Sequence, residues 1–406
     1  MQIKKSILIV FCMLFIIFLN ERLFYMGQIG SSMHVMGLLS ITVTLFLVYI
    51  KAFFEQKFLF RRVVLYYILI NIVSLVVTNI QFGQPIVLGI LRYKYIFVVL
   101  LYFPLCMMIY RVGTEKIKKL IVTLTSFLSF VYIMQAILYP NIIFLNVNYA
   151  DRFGFTRFYD GAYFIVIGLF ITISYLYANY NKSGKLKYYL AFLLQISYIV
   201  FVAQTRSSII PILGIIILVL LSRLSFNNVL SYFKVLAMLI IGLIILMPYI
   251  TDVINSIKTD VARTDGSAQI RVQAKEYVAE KIKENPIFGT GLYNAQYEEG
   301  QWINGSIYKY YAEDIGIKGF IFQYGYVGMI LYLVMIGRFL YLSFRIFKYN
   351  REKGILYVIF CAYSCLQMPF TVTLNVDNTL IYLVMFMALI QIDYNKIYNE
   401  ANNSVS

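Results

Sequence analysis

Long runs of apolar residues dominate this 406-residue chain and constrain what it can fold into. Twelve runs can be read, over residues 6–19, 33–50, 62–79, 95–110, 117–139, 161–179, 188–204, 207–222, 232–250, 317–337, 354–371 and 376–392. A helix that crosses a bilayer needs about 20 mainly apolar residues, so each run has roughly the length of one span. Overall 61% of the residues are hydrophobic and 13% are charged, whereas about 25% of the residues of soluble domains are charged. The sequence therefore predicts an all-α polytopic membrane protein with about 12 transmembrane helices, and it excludes a soluble enzyme.

The positive charge of the chain sets the predicted orientation of these spans. Lys and Arg total 35 against 19 Asp and Glu, which gives a formal net charge of +16. Cytoplasmic loops of membrane proteins are enriched in Lys and Arg. With both termini inside, 21 of the cations and five acids fall on the cytoplasmic side, and this side alone carries the whole excess. The charge is therefore a topology signal, and it gives no reason to expect nucleic acid as a partner.

One long predicted outer loop, residues 251–316, has the composition of an aqueous module. Residues 268–284 place apolar side chains at helical spacing, and Asn285-Pro286 is typical of a helix end. The pattern predicts an amphipathic helix that lies on the outer face of the bundle or among lipid headgroups. The chain then divides into transmembrane helices 1–9 (residues 1–250), this loop, transmembrane helices 10–12 (317–393) and a cytoplasmic tail (394–406).

The sequence gives no indication of metal or nucleotide chemistry. All four cysteines fall in predicted spans, where they are expected to be small buried side chains. Cys361 and Cys365 are one helical turn apart, but the single histidine, His34, leaves a metal site short of ligands. The Gly-x-Gly at 289 and 291 lacks the strand and the third glycine of a dinucleotide site. We therefore predict no cofactor and no metal.

Acidic residues are almost absent from the predicted spans. Ion-coupled transporters use such residues near the middle of the membrane. Their scarcity weakens a transporter hypothesis without excluding it.

Several cations lie on the predicted outer side, against the bias that places Lys and Arg inside. They are Arg92 and Lys94 before the fourth span, Arg152 and Arg157 before the sixth, Arg206 before the eighth, and Arg271 at the start of the loop helix. Arg can contact phosphate through two parallel hydrogen bonds, so these residues are candidates for an anion site at the membrane surface. The alternative is that they reach lipid headgroups or pair with acids such as Asp151 and Asp160. An anion site is favoured for Arg206 and Arg271.

Aromatic residues are abundant, with 37 Tyr, 33 Phe and one Trp. Rings with polar edges suit stacking on sugars, and they also form the interfacial belts of membrane proteins. On the predicted outer side, Tyr293, Trp302, Tyr308 and Arg157 are therefore candidates for glycan binding, and a membrane belt is the alternative.

Three segments between about residues 200 and 335 resemble those of a known family. The chain is similar to polytopic O-antigen ligase and polymerase proteins in QTRSSIIPILGIIILVLL from Gln204, RVQAKEYVAEKIKENPIFGTGLYN from Arg271 and AEDIGIKGFIFQYGYVGMILYL from Ala312. That family includes capsular and exopolysaccharide repeat-unit polymerases. The resemblance implies a C-type membrane glycosyltransferase fold and a metal-independent enzyme on the outer face of the bacterial cytoplasmic membrane. Its donor would be an undecaprenyl-pyrophosphate-linked glycan.

The resemblance also implies roles for individual cations. It assigns Arg206 and Arg271, and less directly Lys94 or Arg92, to the pyrophosphate of the donor. It further implies membrane lipids, a flippase and a chain-length regulator as partners.

The ligase branch of this family has a histidine shortly before the re-entering span, and this sequence has none there. The nearest ionisable residues are Glu313 and Asp314. A carboxylate near the apolar boundary can accept the proton of an acceptor hydroxyl, so these two are candidate catalytic bases. The alternative is that they pair with Lys309 or Lys318. The absence of the ligase histidine favours a polymerase over a ligase. A lipid-linked oligosaccharide flippase or other transporter is the third hypothesis.

Overall fold

Helices make up almost all of the described part of the chain. The computed structural model describes residues 2–21, 31–145, 149–152, 155–158, 161–178, 185–222, 267–294, 297, 310–374 and 379–403. In chain order the α-helices are α1 (Gln2–Glu21), α2 (Ser31–Val48), α3 (Ile50–Glu55), α4 (Arg61–Phe82), α5 (Ile86–Tyr93), α6 (Tyr102–Val112), α7 (Thr114–Leu138), α8 (Ala162–Ala178), α9 (Leu186–Ser197), α10 (Arg206–Leu221), α11 (Ser267–Glu284), α12 (Ile317–Tyr349), α13 (Arg351–Gln367) and α14 (Leu380–Asn403). Lys94–Leu101 and Ala312–Ile315 are 3₁₀-helical, and Tyr198–Ala203 is a π-helix.

The helix lengths confirm an all-α polytopic membrane protein. Within the described ranges, six segments are long and apolar enough to cross a membrane: Arg61–Phe82, Ile86–Val112, Thr114–Leu138, Leu186–Ala203, Ile317–Tyr349 and Leu380–Glu400. Four shorter apolar helices cover Ser6–Glu21, Met33–Val48, Ala162–Ala178 and Ser207–Leu220. The predicted ninth span, 232–250, lies outside the described residues.

The fourth predicted span is longer than the sequence indicates. The sequence predicts that it begins at about 95, after an outer loop that carries Arg92 and Lys94, but the helical segment already begins at Ile86. Arg92 lies in the last turn of α5, and the chain continues directly into the 3₁₀ segment that begins at Lys94. The prediction was wrong here because two cations within three residues suggest a loop, whereas the backbone passes through them without a break.

A small hairpin was not predicted. β1 (Tyr149–Arg152) pairs antiparallel with β2 (Phe155–Phe158), with Tyr149 opposite Phe158. The Tyr139 ring lies 5.4 Å from the Phe158 ring, and the Tyr198 hydroxyl donates to the Phe158 carbonyl at 3.3 Å. Strands of four residues give too short a pattern to be recognised from sequence. Contacts such as those of Tyr139 and Tyr198 with Phe158 stabilise the hairpin.

The bundle is built around helices that are buried on all sides. Residues 380–390 of α14 and 164–175 of α8 are buried throughout. A helix that is apolar all round is expected in the interior of a large bundle. α14 packs against α6, α12 and the 3₁₀ segment Lys94–Leu101.

A buried ion network joins α7 to α14 at the predicted cytoplasmic side. Lys118 Nζ lies 2.9 Å from Asp393 Oδ2 and 3.2 Å from Glu115 Oε1, and the Lys118 and Asp393 side chains are only 4% and 3% exposed. The Asp393 carboxylate also accepts hydrogen bonds from the Tyr357 and Thr114 hydroxyls, at 2.6 and 2.8 Å. Asp393 therefore has a cation and two hydroxyl donors, which a buried carboxylate requires.

Lys118→Ala is expected to lower the free energy of unfolding by about 3 kcal/mol or more, because it leaves Asp393 buried without its cation. Chemical denaturation of the purified protein in detergent micelles would measure the change. The exposed neighbour Lys119 provides the matched control, and Lys119→Ala should change stability little. Equal stability of the two variants would show that the buried pair contributes nothing.

Candidate functional site

The candidate site is built where the chain after α11 meets a break in α12. Gly325 has φ 64° and ψ −169°, which interrupts α12 after its second turn. Residues 286–291 lie beside this break. Four backbone hydrogen bonds join the two segments: Thr290 N to Phe322 O (2.7 Å), Gly291 N to Gln323 O (3.0 Å), Tyr326 N to Pro286 O (2.9 Å) and Val327 N to Ile287 O (3.2 Å). The segment thus satisfies backbone groups that the broken helix leaves unpaired.

Two glycines allow this close approach. Gly289 and Gly325 both have a positive φ, of 69° and 64°. A Cβ at 289 would lie 2.4 Å from the Phe322 carbonyl oxygen, and one at 325 would lie 2.1 Å from the Ile287 carbonyl oxygen. Only a residue without a side chain fits at either position.

Gln84 ties the same segment to α5, the helix that carries Arg92. Its amide donates to the Leu292 carbonyl at 3.1 Å and accepts from the Asn294 backbone N–H at 2.6 Å. The Asn294 side chain then donates to the Leu88 carbonyl in α5 at 3.3 Å. These bonds fix the position of α5 relative to the loop.

The loop helix α11 occupies the range over which the sequence predicts it, 268–284. Its apolar face packs on the protein: Ala274 and Val278 are buried in a cluster with Ala312, Ile315 and Phe322. Ala312 and Ile315 are the two ends of the short 3₁₀ turn whose middle residues are Glu313 and Asp314. This packing brings the N-terminal turns of α11 to the candidate bases.

Two ion pairs cross the site. Arg92 Nη2 lies 4.0 Å from Glu313 Oε1, and Arg271 Nη2 lies 3.7 Å from Asp314 Oδ2. All four side chains are partly exposed, by 49% and 37% in the first pair and by 47% and 52% in the second. The structure therefore brings together four residues that the sequence singled out separately, from α5, α11 and the 3₁₀ turn. The observed partners of the acids are arginines. Of the two lysines in the alternative prediction, Lys309 lies outside the described residues.

Tyr293 is not available as a glycan-stacking ring, which corrects the prediction for this residue. It is 5% exposed, and its ring lies 6.2 Å from the Phe322 ring at an interplanar angle of 71°. Burial raises the pKa of the Tyr293 hydroxyl well above its ordinary value, and the nearby Tyr93 and Glu313 raise it further. The residue is thus a neutral packing residue near Arg92 and Glu313.

Sequence reasoning missed Gln323 and Tyr93. Gln323 is 2% exposed and donates through Nε2 to the Tyr93 hydroxyl at 3.3 Å. Among the described residues its Oε1 has no hydrogen-bond partner. The only signal in the sequence is a single amide within the apolar run before Gly325.

The other candidates lie elsewhere or outside the described residues. Lys94 begins the 3₁₀ segment after α5, and Arg206 is the first residue of α10, but the side chain of Arg206 is outside the description. Arg157 stands in β2 opposite Ala150. Trp302 and Tyr308 fall outside the described residues.

The arrangement can bind an anion and accept a proton at the same place. Two guanidinium groups from separate helices offer N–H donors to phosphate oxygens. Two adjacent carboxylates lie within ion-pair distance of those groups. When a hydroxyl group attacks the carbon atom of a phosphate ester and displaces the phosphate, a base can take the hydroxyl proton and the guanidinium groups can stabilise the leaving phosphate.

Part of the chain matches a known protein family. A family model described as O-antigen ligase matches residues 190–333. This range contains α10, α11, the 3₁₀ turn and the break in α12, and therefore includes Arg206, Arg271, Glu313 and Asp314. Arg92 lies before it. Among curated proteins no match is found.

Proposed function

We propose that this chain, which carries an O-antigen ligase family domain over residues 190–333, is a polysaccharide polymerase. As a multi-pass protein of the bacterial cytoplasmic membrane, it joins undecaprenyl-pyrophosphate-linked repeat units on the outer face during O-antigen, capsule or exopolysaccharide synthesis. The observation that carries the proposal is the convergence of Arg92 and Arg271 on the adjacent carboxylates of Glu313 and Asp314.

The reaction is a glycosyl transfer without a metal ion. The oxygen of an acceptor sugar hydroxyl attacks the anomeric carbon of the donor glycan, and a new C–O bond forms there. The bond from that carbon to the pyrophosphate oxygen breaks, and its electron pair leaves with the lipid pyrophosphate. The hydroxyl proton passes to Asp314 or Glu313. Fixed guanidinium groups neutralise the charge that develops on the leaving oxygen, a role for which a metal ion is not required.

The pyrophosphate is held by Arg271 and Arg92, with Arg206 and Lys94 as further proposed ligands. Arg206 supports this role because it begins α10 within the matched family domain. For the glycan, Trp302, Tyr308 and Arg157 remain proposed contacts. A flippase that delivers the units and a chain-length regulator are proposed partners, together with the surrounding lipids.

Two other functions use the same or a related substrate. The description of the matched family favours ligase-type transfer of a finished glycan to another acceptor. Against it, carboxylates and no histidine precede the re-entering helix α12. A lipid-linked oligosaccharide flippase would instead require polar groups along a path through the membrane.

A strain that lacks the protein is expected to accumulate single lipid-linked repeat units on the outer face of the membrane, because polymerisation is the step that consumes them. Glycolipids extracted from the deletion strain and from the complemented strain would be compared by mass spectrometry. Free long polymer would indicate a ligase, and units confined to the cytoplasmic face would indicate a flippase. Unchanged long-chain polysaccharide would rule out all three.

A further inference from the structure

The two ion pairs of the candidate site carry no net charge. Arg92 and Arg271 supply two positive charges, and Glu313 and Asp314 supply two negative charges, at ion-pair distances of 4.0 and 3.7 Å. As long as the two carboxylates occupy these guanidinium groups, the paired charges attract an anion only weakly. Direct binding of a pyrophosphate to Arg92 and Arg271 therefore requires a change in these pairs.

Both carboxylates are held loosely enough for another anion to replace them on the arginines. Charge-assisted N–H···O contacts are typically about 2.7–2.9 Å long, and these distances are clearly longer. Each side chain is between 37% and 52% exposed, and ion pairs that are open to water stabilise a protein little. Breaking these ion pairs so that another anion can bind the arginines therefore costs little free energy.

One rigid turn carries both carboxylates. Glu313 and Asp314 are consecutive residues of the 3₁₀ turn, whose flanking residues Ala312 and Ile315 are buried. Just beyond the turn, the Ile317 N–H donates to the Met368 carbonyl at 2.9 Å. With the backbone held on both sides, rotation of the side chains is the motion left to the carboxylates.

We infer that Glu313 and Asp314 are internal counterions that the donor pyrophosphate displaces, so that donor binding itself releases the catalytic base. The inference rests on the proposed function and adds a way in which donor binding regulates that function. Pyrophosphate carries more negative charge than one carboxylate and has enough oxygen atoms to engage both arginines. A displaced carboxylate is then no longer paired with a guanidinium group and is free to approach the acceptor hydroxyl. The base is therefore released only when a donor is present.

Binding of inorganic pyrophosphate to the purified full-length protein in detergent tests the exchange. Glu313→Gln and Asp314→Asn keep the size of each side chain and remove its charge. Because each removes one competing counterion, isothermal titration calorimetry at fixed low salt should give about 2- to 5-fold tighter binding for either variant. The same variants should polymerise more slowly, since an amide cannot accept the proton.

The matched control is Glu280→Gln, which removes one negative charge from the exposed surface of α11 and should leave the affinity nearly unchanged. Size-exclusion elution and thermal unfolding would verify that each variant folds, and the two single variants provide independent tests.

Unchanged or weaker pyrophosphate binding in both amide variants would overturn the proposed exchange of carboxylate for pyrophosphate. Retained binding in both Arg92→Ala and Arg271→Ala would instead overturn the proposed anion site itself, so the two failures are distinguishable.

Discussion

Arg271→Ala is expected to reduce polymer synthesis by about 100-fold or more, because removing one preorganised donor to a developing negative charge typically has an effect of this size. The Arg271 side chain is 47% exposed, whereas α11 is held by the buried Ala274 and Val278. The substitution should therefore remove the charge without unfolding the helix. Conversion of lipid-linked repeat units to polymer by purified protein, followed by gel electrophoresis, would measure the rate.

Two variants of the same helix separate the role of this guanidinium from that of general charge. Lys283→Ala removes an exposed cation near the C-terminal end of α11 and should leave the rate nearly unchanged. Arg271→Lys keeps the charge but loses the planar pair of donors, so an intermediate rate is expected. Full activity of Arg271→Ala would contradict the assignment of this residue to the pyrophosphate. Arg206→Ala is expected to behave like Arg271→Ala.

The elements of this fold that depend on local pattern could be predicted from the sequence. The helix α11 begins and ends within one residue of its predicted range, because helical spacing of apolar residues and a terminal Asn285-Pro286 are local signals. Neither signal required knowledge of what packs against the helix.

Pairing across the bundle could not be predicted in this way. In the described part of the chain, six α-helices lie between the segments that carry Arg92 and Glu313. The contact of these two side chains depends on how Gln84 and Asn294 hold α5 against the loop. The burial of Tyr293 has the same origin, since its ring packs against Phe322 on the broken helix. A loop residue with a polar tip is expected at a surface, and tertiary packing overrides that expectation here.

Gly325→Ala, at the break in α12, is expected to prevent almost all of the protein from folding into an active form. The backbone at this position, φ 64° and ψ −169°, belongs to a region that is essentially restricted to glycine. A methyl group there would also lie 2.1 Å from the Ile287 carbonyl oxygen. The bonds from 286–291 to the break would have to separate, and Arg271 and the 3₁₀ turn would lose their common support.

Gly337→Ala supplies the control within the same helix. No atom lies within 4 Å of the Cβ that this change adds, and alanine is favoured over glycine in a helix by about 1 kcal/mol. We expect Gly337→Ala to keep full activity with an equal or higher melting temperature, whereas Gly325→Ala should lose folded protein on size-exclusion chromatography and lose polymer synthesis. If the two variants behaved alike, the junction between the loop and α12 would not be what holds the candidate site together. Such a difference between two glycines of one helix would locate the effect at the junction and not in the membrane span that both residues share.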